Sequence, residues 1–169
     1  MPIIIREAGA ADAHDMAVVR AESWRAAYRG IIPDEVLDNM NVAESAEKFK
    51  KRLAENSENF WDYVAVFEGK VVGILHLCKS RDEDKPDAGE VGAIYFFKEY
   101  WGMGFGRKMM ERAVETLRAK GFGEIILWVL RENRRSRRFY EKCGFAFDGT
   151  EKDITIGKPL PEVRYSMVL

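Results

Sequence analysis

The sequence predicts one α/β (α+β) domain, on three observations. Residues 91–97, VGAIYFF, are an almost unbroken apolar run with aromatic and β-branched side chains, the pattern of a strand buried on both faces. A short turn, 98–101, leads to Gly102, Gly104 and Gly106, which open a helix that ends at Gly121. A second apolar run follows at 125–130, and so long a crossover between two strands makes them parallel. With 169 residues, 47% of them hydrophobic, the chain can bury a sizeable core.

The other elements follow in chain order. Residues 3–6 read as a short first strand, and Asp12 is placed to cap a helix over 13–28 that carries Ala17, Ala21, Trp24 and Tyr28 on one face. Pro33 suits the first turn of a short helical piece to about Met40, and Asn41 can cap a helix over 43–55. Residues 61–67 and 71–78 read as two strands joined by a turn at Glu68, Gly69 and Lys70, with Gly73 marking a bulge or close contact. The charged stretch 80–89 has no apolar period and reads as a surface loop. In the glycine-led helix, Met110, Ala113, Val114 and Leu117 form the apolar stripe. Asn133 opens a last helix to Cys143, closed by Gly144. Residues 145–147 and 163–168 are then expected as final strands around a long loop.

Bare backbone at the start of a helix offers unpaired N–H groups and the positive end of the helix dipole, a place for a phosphate. Glycines also simply suit a tight turn. Their spacing at every second residue fits neither a G-x-G-x-x-G dinucleotide fingerprint nor a P-loop. It resembles motif A of the GCN5-related N-acetyltransferase (GNAT) family, Gln/Arg-x-x-Gly-x-Gly/Ala, which falls here on residues 101–106 with Trp101 in place of the usual Gln or Arg. A second stretch, RENRRSRRFYEKCGF at 131–145, resembles motif B of the same family in Asn133, Phe139, Tyr140, Glu141, Gly144 and Phe145. On that helix Ser136, Phe139, Tyr140 and Cys143 share one face, while five arginines within 131–138 lie mainly on the other.

The resemblance covers roughly residues 60–150. It implies a single-domain, mixed and mostly antiparallel sheet of six to seven strands, flanked by about four helices, with two central parallel strands splayed to admit acetyl-CoA as co-substrate. By the same resemblance the pantetheine pairs with the backbone of Ile94, Tyr95 and Phe96. The pyrophosphate rests on amides of Met103, Gly104, Phe105, Gly106 and Arg107, and Asn133, Ser136 and Phe139 belong to the cofactor side. The implied activity is acetyl transfer to a primary amine of a small molecule or peptide.

The chemistry suits these residues. A lysine-like amine of pKa ~10.4 is neutral only about once in ~2,500 molecules at pH 7, so a proton acceptor helps. Glu90 sits where the family's histone-acetylating branch carries its general base, acting through water; it is equally the polar start of a strand beside a charged loop. Tyr140 can hydrogen-bond the departing thiolate and pass it a proton, since a tyrosine near ~10 lies within about two units of a thiol near ~8.5. Trp24 and Tyr28 suit either core packing or an acceptor-side wall. His14 and His76 have no acidic or cysteine companions at ligand spacing, and no metal is expected. Cys143 reads as a buried inert thiol.

Two cysteines cannot make a disulfide framework, a net charge of −1 gives no global pull on nucleic acid or membrane, and no basic leader or apolar stretch of ~18 residues is seen. These features point to a cytoplasmic protein, and a homodimer is left open. The alternative is a non-catalytic module that senses CoA or binds nucleic acid through the arginines.

Overall fold

A computed structural model describes all 169 residues. The chain forms β1 (Ile4–Glu7), α1 (Ala13–Tyr28), α2 (Asp34–Asp38), α3 (Val42–Ala54), β2 (Phe60–Phe67), β3 (Lys70–Lys79), β4 (Gly89–Phe96), α4 (Phe105–Ala119), β5 (Glu124–Leu130), α5 (Arg134–Lys142), β6 (Ala146–Thr155) and β7 (Pro159–Val168). The seven strands make one sheet in the order β1-β2-β3-β4-β5-β7-β6. Every neighbouring pair is antiparallel except β4 and β5.

That parallel pair is held at two positions only, Gly89 beside Ile125 and Glu90 beside Ile126. Beyond them the strands diverge, although each stays paired with its outer neighbour, β3 or β7, with one bulge in β4 at Gly92. The run 91–97 was expected to be buried on both faces. Instead Gly92 to Tyr95 are half-buried, because the divergence opens a cleft beside them.

The main core fills both faces of the sheet. Tyr95 meets Trp24 of α1 while Phe96 meets Phe105 of α4, so adjacent residues of β4 point to opposite sides. A smaller cluster of Ile32, Leu37, Leu130 and Leu160 joins the turn after α1 to the far ends of β5 and β7.

Several local devices behave as their residues dictate. Asn41 accepts from Glu44 N at 3.0 Å and Asn133 from Ser136 N at 3.2 Å, capping α3 and α5. Glu68 and Gly69 both take positive φ, which matches the twist of the β2–β3 hairpin. Asp12 sits at the start of α1 without capping it; its carboxylate accepts from Gly9 N at 2.8 Å and pairs with Arg6 at 2.8 Å, tying β1 to the turn that follows.

The C-terminal part departs from expectation. In place of short strands at 145–147 and 163–168 around a long loop, β6 and β7 are ten-residue strands joined by a tight turn at Ile156, Gly157 and Lys158. β6 is an exposed edge strand, so its residues carry no apolar alternation that would betray it. α2 makes the fifth helix where about four were expected.

Gly73 lies in β3 against the Phe96 ring, which would overlap any added Cβ. Gly73→Ala gains about 0.5–1 kcal/mol in backbone entropy and loses about 1–3 kcal/mol by overpacking, so the net sign is destabilising. Thermal unfolding should show the variant melting lower, by roughly 2–4 °C per kcal/mol lost; an unchanged or higher melting temperature would mean that Phe96 yields.

Candidate active site

The divergence of β4 from β5 creates a cleft of about 660 Å³ that passes through the sheet. One mouth is made by the starts of α4 and α5, the other by α1, the loop after β3 and the β6–β7 hairpin.

At the first mouth Gly104 takes φ +82°, a conformation that a residue with a Cβ enters only with strain, and nothing lies within 4 Å of where that Cβ would be. The first helical hydrogen bond runs from Lys108 N to the Gly104 carbonyl at 3.3 Å, which leaves the amides of Phe105, Gly106 and Arg107 without intrahelical partners. Gly106 lets α5 approach, since its Cβ would stand 3.2 Å from the Phe139 ring. The Trp101 indole donates to the Phe96 carbonyl at 3.0 Å, and the Arg135 guanidinium lies 3.5 Å from the centroid of the Trp101 ring. These features form a cationic, amide-lined cradle suited to phosphate. The inner edge of β4 past Glu90 has no strand partner, so it can pair with an extended ligand.

Tyr140 lies half-buried on the cleft wall. Burial pushes its phenol well above the ordinary tyrosine value, with Tyr95 adding to the rise and Arg135 opposing it. Tyr28 and Tyr95 are raised by burial as well. Trp24 packs edge-on to Tyr28 at 5.2 Å and to Tyr95 at 6.4 Å, and its buried indole N–H has no hydrogen-bond partner.

Glu90 stands at the apex, in the last residue pair before the strands part, and is 1% exposed. One carboxylate oxygen accepts from Arg81 N at 3.1 Å and Nε at 3.4 Å, the other from Nη2 at 2.8 Å. Cys78 lies alongside, its thiol pushed up to about 11 by burial and by the Glu90 charge.

Of the expected site residues, Trp24, Tyr28, Glu90, Ile94, Tyr95, Phe96, Gly104, Gly106, Arg107, Asn133, Ser136, Phe139 and Tyr140 all line this one cleft. Met103 is exposed beside it and the Phe105 side chain enters the core, so these two could contribute backbone only. Cys143 lies on the wall, not buried as expected. Sequence reasoning missed Asp82, Trp128, Lys152 and Glu162, which line the second mouth. Glu162 and Arg164, two charges on one face of an otherwise apolar strand, were the available signal. His76 is not isolated: Nδ1 lies 2.9 Å from Asp62, which Arg52 also holds, because the β2–β3 register sets Asp62 opposite His76.

A model of the acetyltransferase (GNAT) family matches residues 21–145, which contain both helix starts and both diverging strands. The chain belongs to the GNAT family. It is an acyltransferase of the N-acetyltransferase kind. An uncharacterized N-acetyltransferase of Bacillus subtilis, YuaI, is 33% identical over 132 residues, 78% of this chain and 73% of its own. The spermidine N(1)-acetyltransferase of Thermoplasma acidophilum is 26% identical over 155 residues, 89% of this chain and 92% of its own. The crystal structure of the PaiA N-acetyltransferase of Thermoplasma acidophilum, solved with coenzyme A, covers all of both chains with a TM-score of 0.82 at 23% identity, a likeness of fold. No helix of this GNAT chain is long and apolar enough to cross a membrane.

Gly104→Val would put a branched side chain into the open space of the cradle at a strained φ. Calorimetry should show CoA binding weakened by about tenfold or more, one phosphate contact set being worth at least ~1.4 kcal/mol. Gly121→Val, at φ +90° past the far end of α4 and equally uncrowded, controls for strain: it should lose similar stability and keep its CoA affinity. Equal affinities in the two variants would remove the cradle.

Proposed function

We propose that this GNAT chain transfers an acetyl group from acetyl-CoA to a primary amine of a small molecule or peptide, by direct attack within the cleft. The reading is carried by one observation: the amide-lined helix start, the unpaired edge of β4 and the Tyr140 phenol converge on one continuous cleft. When bound, acetyl-CoA supplies an acetyl group already activated as a thioester.

The chain's own residues then have distinct tasks. The amides of Met103 to Arg107 and the helix dipole hold phosphate, helped by Arg135 on its Trp101 shelf. Asn133, Ser136 and Phe139 complete that wall, and the backbone of Ile94 to Phe96 aligns the pantetheine as a missing strand would. An N–H of the opened strand near Phe96 faces the charge that develops on the carbonyl oxygen. Tyr140 gives its proton to the departing thiolate. Glu90, with both oxygens engaged by Arg81, takes up the amine's proton through water and not by contact. Trp24 and Tyr28 wall the acceptor side, and the name of the Thermoplasma spermidine acetyltransferase supports a small flexible amine there. Among the arginines offered to nucleic acid, Arg135 is stacked on Trp101 and Arg137 donates to Tyr165 at 3.0 Å and to the Arg131 carbonyl at 2.9 Å, which favours an enzyme over a nucleic-acid module.

Tyr140→Phe should lower kcat about 10²-fold or more with little change in acetyl-CoA affinity, as expected for loss of a general acid. Steady-state kinetics with thiol detection, beside calorimetry, checks both; full turnover in the variant would reduce Tyr140 to packing.

The raised phenol pKa has a direction in pH. A general acid whose pKa rises stays protonated further into alkali, while the acceptor amine becomes neutral as pH increases. The wild-type rate should therefore climb with pH and show no falling limb below about 10. A bell centred near neutrality would contradict Tyr140 as the acid.

A further inference from the structure

At the second mouth of the cleft, one ammonium of the chain already stands where a ligand would. Lys152 Nζ, from the exposed edge strand β6, lies 4.0 Å from the centroid of the Trp128 ring, 3.8 Å from the Glu162 carboxylate and 3.9 Å from Asp82 Oδ1. Charge-assisted N–H···O bonds run at about 2.7–2.9 Å, so this cation is loosely held. Its walls are firmer. Trp128 Nε1 donates to Asp82 Oδ2 at 2.9 Å, and the same oxygen accepts from Arg164 Nη1 at 2.9 Å, which fixes both side chains and leaves Oδ1 toward the ammonium.

Glu162 is the unusual member. It is 8% exposed, lines the cleft, and has Lys152 as its ion-pair neighbour and no hydrogen-bond donor. Its side chain is largely buried with no donor at close range, and that burial raises its pKa. The other cations nearby are committed, Arg81 to Glu90 and Arg164 to Asp82, Asp84 and Asp148. Aromatic face and carboxylates together are the surroundings that an alkylammonium prefers.

The position within the cleft decides what such a site is for. Tyr140 packs against Tyr165 of β7, whereas Glu162 stands three residues earlier on that strand, where the alternation of side chains turns it to the opposite face. The two therefore sit at different ends of one cleft.

We infer that Trp128, Asp82 and Glu162 bind the distal, non-reacting ammonium of a diamine acceptor, and that Lys152 is the resident occupant which this ammonium displaces. The inference rests on the acetyl-transfer reading and narrows it from amines in general to amines with a second positive charge. The distal ammonium gains the carboxylate that Lys152 serves poorly, while the reacting nitrogen, at the Tyr140 end, is left to lose its proton.

The test compares 1,4-diaminobutane with butylamine, which has the same stem and no second charge. In the full-length wild type, KM for the diamine should be lower by about tenfold or more, the worth of one desolvated charge pair. Glu162→Gln, nearly the same shape, should raise the diamine KM about tenfold and leave butylamine within about twofold. Lys152→Ala, on an exposed strand where folding is not at risk, should lower the diamine KM and leave butylamine unchanged. The inference is overturned if Glu162→Gln shifts both amines alike, or if Lys152→Ala raises the diamine KM. Calorimetry of 1,4-diaminobutane on the CoA-loaded protein separates the two levels. Diamine binding that Glu162→Gln weakens, in a protein that acetylates no amine, would uphold the cage and defeat acetyl transfer; no diamine binding to the wild type would defeat the cage.

Discussion

The parting of β4 from β5 after two residue pairs is the constraint on which the rest of the structure depends. A sheet interior normally leaves no backbone N–H or C=O unpaired, and each buried one left alone costs about 1–3 kcal/mol. Here the inner edges of two central strands forgo their ladder. The outer pairings to β3 and β7 hold each strand in the sheet, the β3–β4 ladder shifting register once opposite Gly92, so the loss is confined to one seam. Elements on both faces then hold the seam open: α4 and α5 wedge it from one side, where Gly106 meets Phe139, and the rings of Trp24, Tyr28 and Tyr95 wedge it from the other. At the apex, Arg81 neutralises Glu90 in the last residue pair.

Because strand residues alternate, a slot through a sheet has two chemically independent mouths. On the α4–α5 side the lining is backbone amide, helix dipole and arginine, all favouring anions. Across the sheet it is Asp82, Glu90 and Glu162 with the Trp128 ring, carboxylates that Arg81 and Lys152 accompany. On the proposed reading, donor and acceptor approach from opposite faces, and Tyr140 lines the cleft between them. The small cluster under Leu130 and Leu160 anchors the β6–β7 hairpin to the turn after α1, which keeps the carboxylate-lined mouth shaped independently of the main core.

How much of this was legible in the chain follows from where each signal lies. The donor side is local in sequence: a strand, three glycines and a helix stripe lie within residues 91–117, and α5 repeats the arrangement, so periodicity and spacing expose it. The second mouth is assembled from residues far apart, Asp82 in a charged loop, Trp128 in β5, Lys152 in β6 and Glu162 in β7, which meet only through strand register. No window of sequence holds that juxtaposition. The β6–β7 hairpin was illegible for the related reason that an exposed edge strand is under no demand to alternate. His76 and Asp62 are fourteen residues apart and face each other only because the hairpin turn sets their register.

Trp101 is the one departure from the family pattern within the cradle, and its contacts show what replaces the missing Gln or Arg. A Gln or Arg there would carry two or more N–H donors. The indole instead spends its only N–H on the Phe96 carbonyl, at the end of β4, and offers a flat face to Arg135 of α5. Stacking of this kind is worth about 0.5–2 kcal/mol and fixes the guanidinium plane while leaving its donors unused. Burial lowers the Arg135 pKa, yet an arginine starts so high that it stays charged at neutral pH. Arg135 thus adds a charge from α5 to that of Arg107 at the start of α4, and one aromatic ring joins β4, the glycine turn and α5. The starts of α4 and α5 are thereby linked through the Trp101 ring, and α5 is the helix that carries Tyr140.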